Sequence, residues 1–121
     1  MDPLSAPAGQ TVVSGARPPG RPLKVGLFLP HLERSLDGKV ARWSELKAKA
    51  LRAEEVGFDS VWLADHLIFR FGPLWKAGPW ECWSILSGLA AVTRRVELGT
   101  LVVCTGFRNP ALLAKMADTV E

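Results

Sequence analysis

Asp65 and His66 stand side by side at the end of an otherwise apolar run, Ser60-Val61-Trp62-Leu63-Ala64. A carboxylate and an imidazole are costly to bury there unless they are paired or hydrogen-bonded. A histidine so placed can donate a hydrogen bond or move a proton near neutral pH. The plainer alternative is a strand-end pair that caps the following loop. Polar residues end two other apolar runs in the same way: His31 follows Lys24 to Pro30, and Cys104-Thr105 follow Val96 to Val103. His31 either lines the substrate side of a mouth or sits in a solvated loop. Cys82 and Cys104 have no partners at zinc spacing, so neither a metal cluster nor a disulfide framework is indicated. A cysteine at the end of a buried strand reads as core rather than as a reactive thiol. Arg108 lies just before Asn109-Pro110; it could steer an anion at a helix N-terminus, but it is read as a surface arginine.

The elements that must position these groups alternate along the chain. The run from Lys24 to Pro30 is a strand covered on both faces, because it is continuously apolar. Ser44 to Val56 is a helix with Leu46, Ala50, Ala53 and Val56 as its apolar stripe, Ser44 as cap and Gly57 as the left-handed stop. The second strand is Ser60 to His66. A loop from Leu67 to Gly78 leads to Pro79, well suited to a first helical turn. A helix then runs to about Thr93, with Trp83, Leu86, Leu89 or Ala90, and Thr93 inward, and Arg94 and Arg95 at the negative end of its dipole. Val96 to Cys104 is the third strand, Asn109-Pro110 caps a third helix, and Ala111 to Glu121 is helical. Phe69, Phe71 and Trp75 in the long loop are candidates for a substrate pocket.

Composition narrows the classes. The chain has 121 residues, 48% hydrophobic and 22% charged, which suits a globular domain and excludes wholesale disorder. No uninterrupted apolar run of about 18 residues exists, so a membrane-spanning helix is not expected. The net charge of +3 is too small and too scattered to suggest nucleic acid. Residues 1–23, rich in Pro, Gly, Ser and Ala and without a secretory apolar core, are expected to form a disordered extension, and the protein is expected to be cytoplasmic.

Alternating strands and helices imply a parallel sheet with right-handed crossovers, either an open doubly wound sheet or a closed eight-stranded barrel. The open dinucleotide-binding sheet carries G-x-G-x-x-G after its first strand; here that strand is followed by Pro30-His31-Leu32-Glu33-Arg34. Polar residues gathered at strand ends suit a barrel, whose active sites lie there. Three units cannot close a barrel, so a partial parallel (β/α)8 chain of the TIM-barrel type is expected over 24–121.

Three stretches carry a family resemblance: KVGLFLPH at 24–31, AEEVGFDSVWLADH at 53–66 and LGTLVVCTGFRNPALLAKMADTVE at 98–121. The chain resembles the N-terminal third of the bacterial-luciferase-like monooxygenases, flavin- or deazaflavin-dependent oxidoreductases on a closed barrel. The resemblance implies FMN or the deazaflavin coenzyme F420 as cofactor, and hydride transfer or flavin-mediated oxygenation of a small organic substrate. It makes His66 the catalytic polar partner of the ring and Asp65 the residue that orients it or contacts the cofactor. It also implies a non-prolyl cis peptide at Leu101-Val102, with Leu101, Val102, Val103, Cys104 and Thr105 against the cofactor. Relatives often have Thr where Cys104 stands, which puts a hydroxyl contact there in question. His31, Phe69, Phe71 and Trp75 become the substrate side, no metal is expected, and the full-length protein is expected to be a homodimer. The rival expectation is a catalytically inactive barrel fragment that serves, if at all, as an interaction module.

Overall fold

The computed structural model describes residues 23–121; the expected extension over 1–23 lies outside the described residues except for Leu23. Strand β1 (Gly26–Phe28), helix α1 (Trp43–Glu55), strand β2 (Ser60–Leu63), a hairpin of β3 (Phe69–Phe71) and β4 (Trp75–Ala77), helix α2 (Cys82–Ala90), strand β5 (Glu97–Thr100) and helix α3 (Pro110–Val120) follow in order. A short 3-10 turn over Thr105–Phe107 separates β5 from α3. The main sheet has the order β1-β2-β5, and both pairings are parallel. This is the strand–helix alternation that the sequence predicts, with shorter strands.

Alternate positions of the three strands separate two faces. Leu27, Val61 and Leu98 stand in one row across the register and pack with Leu46, Ala50 and Ala53 of α1 and Leu86 and Leu89 of α2. Leu29, Leu46, Leu63, Val61 and Leu89 are fully buried; each such side chain contributes about 2 kcal/mol by leaving water. The other face carries Trp62, which stands opposite Phe28 and Gly99. A Cβ at Gly26 or at Gly99 would collide with the Trp62 indole, so these two glycines let the ring lie across both neighbouring strands.

Several boundaries differ from expectation, each for a local reason. α1 begins two residues earlier than a Ser44 cap requires, with Arg42 as its cap: the Glu45 carboxylate reaches back to accept from the Arg42 amide at 2.7 Å, as in a capping box. It ends as predicted at Gly57, whose φ is +92°. Val56, expected in the apolar stripe, is 52% exposed. α2 starts after Glu81 and not at Pro79, because the Glu81 carboxylate accepts from the amides of Trp83 and Ser84; Pro79 instead bridges to Leu32. Arg94 and Arg95 lie beyond α2, and their amides donate to Glu54. The loop predicted over Leu67 to Gly78 is largely a hairpin that pairs Phe69 with Ala77 and Phe71 with Trp75; Gly72, at φ +74°, turns it. α3 is capped as expected, the Asn109 carbonyl accepting from the Ala111 amide at 2.9 Å.

Candidate functional site

Strands of a parallel sheet end together, so the residues after β1, β2 and β5 meet at one end of the molecule. There an open depression of about 360 Å³ is lined by Asp65, His66 and Ile68 on one side and by Val102 to Phe107 on the other. The Leu101-Val102 peptide is cis, at the bond the family resemblance implies. Leu101 and Val102 are more than half exposed and Val103 is 36% exposed, so the segment after β5 presents an apolar ledge to the opening.

His66 is partly buried. Its Nδ1 is buried and has no hydrogen-bond partner among the described residues. The ring stacks on Phe69 with centroids 4.2 Å apart and planes 12° from parallel, so the imidazole is held by an aromatic surface and not by a carboxylate. A buried polar atom left without a partner is uncommon in folded proteins.

Asp65, 3% exposed, has its carboxylate taken elsewhere. Oδ2 accepts from Arg108 Nη1 at 2.7 Å and from the Cys104 amide at 3.0 Å, and Oδ1 accepts from Arg108 Nη2 at 2.9 Å. Such a fork is the strong form of an ion pair. The expectation that Arg108 is a surface residue is therefore corrected: its side chain is 12% exposed and also donates to Glu81. The hydrogen bond to Asp65, followed by that to Glu81, moves the guanidinium further into its charged form than usual. Burial raises the Glu81 carboxyl, but the Ser84 and Trp83 amides and Arg108 outweigh it, so the group lies below its ordinary value.

His31 is also corrected. It is fully buried, so it is neither in a solvated loop nor exposed to a mouth. With the ring proton assigned to Nδ1, Nδ1 donates to the Leu29 carbonyl at 2.9 Å and Nε2 accepts from the Ala64 amide at 3.0 Å. The ring thereby ties the ends of β1 and β2 together. Of the expected pocket aromatics, Phe69 lies on His66, while Phe71 and Trp75 stand opposite each other at the hairpin end. Cys82 is buried in α2; burial, then the Asp65 and Glu81 carboxylates, push its thiol up to about 12. Cys104 is half-buried. Among the described residues no three His, Cys, Asp or Glu are grouped so as to hold a metal ion, and no helix is long and apolar enough to cross a membrane.

Reasoning from residues alone did not find the Arg108–Asp65–Glu81 cluster. The one signal was the position of Arg108 in front of a capped helix, and nothing local names its partners, which lie 43 and 27 positions back.

Comparison with known proteins defines the class. The family model for luciferase-like monooxygenases matches residues 23–121, and the chain belongs to that family; its three strand–helix units form part of the family's TIM barrel. Among the relatives is an F420-dependent glucose-6-phosphate dehydrogenase of Kineococcus radiotolerans, 39% identical over 105 residues that cover 84% of this chain and 28% of the relative. An enzyme of the same name from Amycolatopsis mediterranei is 39% identical over 80 residues, covering 64% of this chain and 23% of its own. Among solved structures, an F420-dependent secondary alcohol dehydrogenase in complex with an F420-acetone adduct superposes with a TM-score of 0.56 and 28% identity, over 77% of this chain and 26% of that one. The chain thus spans about a quarter of the length of these relatives.

Proposed function

We propose that the protein to which this barrel segment belongs is an F420-dependent oxidoreductase acting on a small organic substrate. The observation that carries the reading is the pairing of His66, with its buried and unpartnered Nδ1, with the exposed apolar ledge after β5. A flat heteroaromatic ring needs an apolar surface for its face and a polar group at its edge, and the depression between Ile68 and Phe107 offers both. When bound, the deazaflavin would supply the hydride chemistry. Leu101, Val102, Val103, Cys104 and Thr105 would back the ring, and His66 would hold or move a proton at its free nitrogen. Asp65, already saturated by Arg108 and the Cys104 amide, would act through the backbone rather than touch the ring. Phe69 fixes the His66 plane, and the hairpin that carries Phe71 and Trp75 would form part of the substrate side. The names of the relatives favour F420 over FMN; a homodimeric, cytoplasmic enzyme is part of the same proposal.

The test is titration of the parent protein with F420 and with FMN, followed by the fluorescence of each ring. Saturable binding of F420, and loss of turnover by about a hundredfold or more in His66→Ala, are expected. Unchanged turnover and F420 affinity in that variant would remove His66 from its role. Preference for FMN would move the reading to the flavin branch.

A further inference from the structure

Residues 102–107 form one wall of the depression and are only partly covered: Val102 is 58% exposed, Val103 36% and Phe107 42%. Two hydrogen bonds fasten this segment to the end of β2, and both run through Asp65. The Asp65 amide donates to the Val102 carbonyl at 3.3 Å, and the Asp65 carboxylate accepts from the Cys104 amide at 3.0 Å. That carboxylate is almost wholly buried, and a buried carboxylate needs charge and hydrogen bonds in place of its water. Arg108 supplies the charge through both arms of its fork. Its second contact, to Glu81, joins the same guanidinium to the residue that caps α2. One side chain thus links the end of β2, the start of α2 and the approach to α3.

We propose that Arg108 is a positioning residue: by gripping both oxygens of the Asp65 carboxylate, it fixes the 102–107 wall against the end of β2 and so sets its distance from the adjacent His66. The functional meaning rests on the reading of His66 and the ledge as cofactor-facing; the positioning itself does not. Without the guanidinium, nothing holds the carboxylate in its orientation, and the Cys104 amide loses its acceptor as the group turns outward. Arg108 acts through Asp65: among the described residues its guanidinium hydrogen-bonds to Asp65 and Glu81.

The two cysteines report on this separately. Cys104 sits in the wall and Cys82 in the core of α2. In the 121-residue chain, modification of each thiol by an aromatic disulfide reagent is followed by peptide mass analysis. Arg108→Met is expected to speed Cys104 by about tenfold or more, the factor equivalent to ~1.4 kcal/mol, with Cys82 unchanged. Asp65→Asn should do the same, and the double variant should add little, because the two act as one unit. No change at Cys104, or equal acceleration of both thiols, overturns the proposal. Should Arg108→Met fail to fold, Arg108→Lys decides by the same criterion: it keeps the charge but lacks the fork, so selective acceleration of Cys104 supports the positioning role and none refutes it. F420 affinity of the parent protein, measured alongside, should fall in Arg108→Met. If the unaltered protein does not bind F420 at all, the proposed function fails while the thiol result still stands.

Discussion

The two ends of the parallel sheet are built on different rules. At the end where the strands begin, carboxylates gather backbone amides from distant segments. The Glu54 carboxylate accepts from the amides of Arg94, Arg95 and Val96 at 2.9, 2.7 and 3.0 Å, and Arg95 donates back to the Glu54 carbonyl. Asp59 accepts from the Val25 amide at 2.7 Å, and its backbone links to Val25 and Glu97. At the end where the strands stop, His66 Nδ1 has no partner and an apolar ledge is exposed. In barrels of this type the first end serves stability and the second carries the chemistry. The contrast is between carboxylates that collect amides across the fold and an imidazole whose Nδ1 stands unpaired beside an exposed apolar ledge.

Substitutions should separate the two ends. The largest effect is expected from Glu54→Ala, which orphans three amides at once and should cost about 2–3 kcal/mol in urea unfolding while leaving Cys104 reactivity unaltered. The same group gives a pH dependence. Burial raises the Glu54 carboxyl, but the three amides and Arg95 outweigh this and hold it below its ordinary value of 4.5. A carboxyl depressed in the folded state stabilises above its unfolded value, and the gain disappears as pH falls through the folded one. The melting temperature should therefore drop below about pH 4.5, and less steeply in Glu54→Gln; an equal slope in both would disprove the assignment.

His66→Ala should behave in the opposite way, changing stability by less than ~1 kcal/mol, since it loses the stack on Phe69 but no hydrogen bond. A loss as large as that of Glu54→Ala would mean that the open end is structural after all. Smallest of all should be Lys24→Ala. It breaks the Lys24–Glu97 pair, whose side chains are 60% and 64% exposed, and such pairs contribute about 0.5 kcal/mol or less. A larger cost in a thermal melt would show that the strand-beginning end depends on its surface charges as well as on its buried amides.

The order of elements was legible because it is written locally. Apolar runs marked the three parallel strands, a helical stripe marked α1, and Asn109-Pro110 marked the start of α3. The family came from the stretches at 24–31, 53–66 and 98–121 together, and the position of the cis bond from aligning Leu98-Gly99-Thr100 within it, a resemblance and not a deduction from pattern. The hairpin was missed because Gly72-Pro73 reads as loop, and the strands flanking it are three residues each, too short for an alternation to register. The caps of α1 and α2 were misplaced because Glu45 and Glu81 did the work expected of Ser44 and Pro79.

By itself, the sequence determined which segments become strands and helices, which of their faces are apolar, and that polar residues gather where strands stop. These follow from periodicity and turn chemistry over a few neighbouring positions. Only the tertiary structure decided that His31 is an interior tie, that Asp65 is claimed by Arg108 and not by His66, and that Glu54 collects three amides from a turn 40 residues away. Those outcomes depend on the parallel register that brings β1, β2 and β5 side by side. A charged side chain carries no local sign of which distant partner the fold will bring to it.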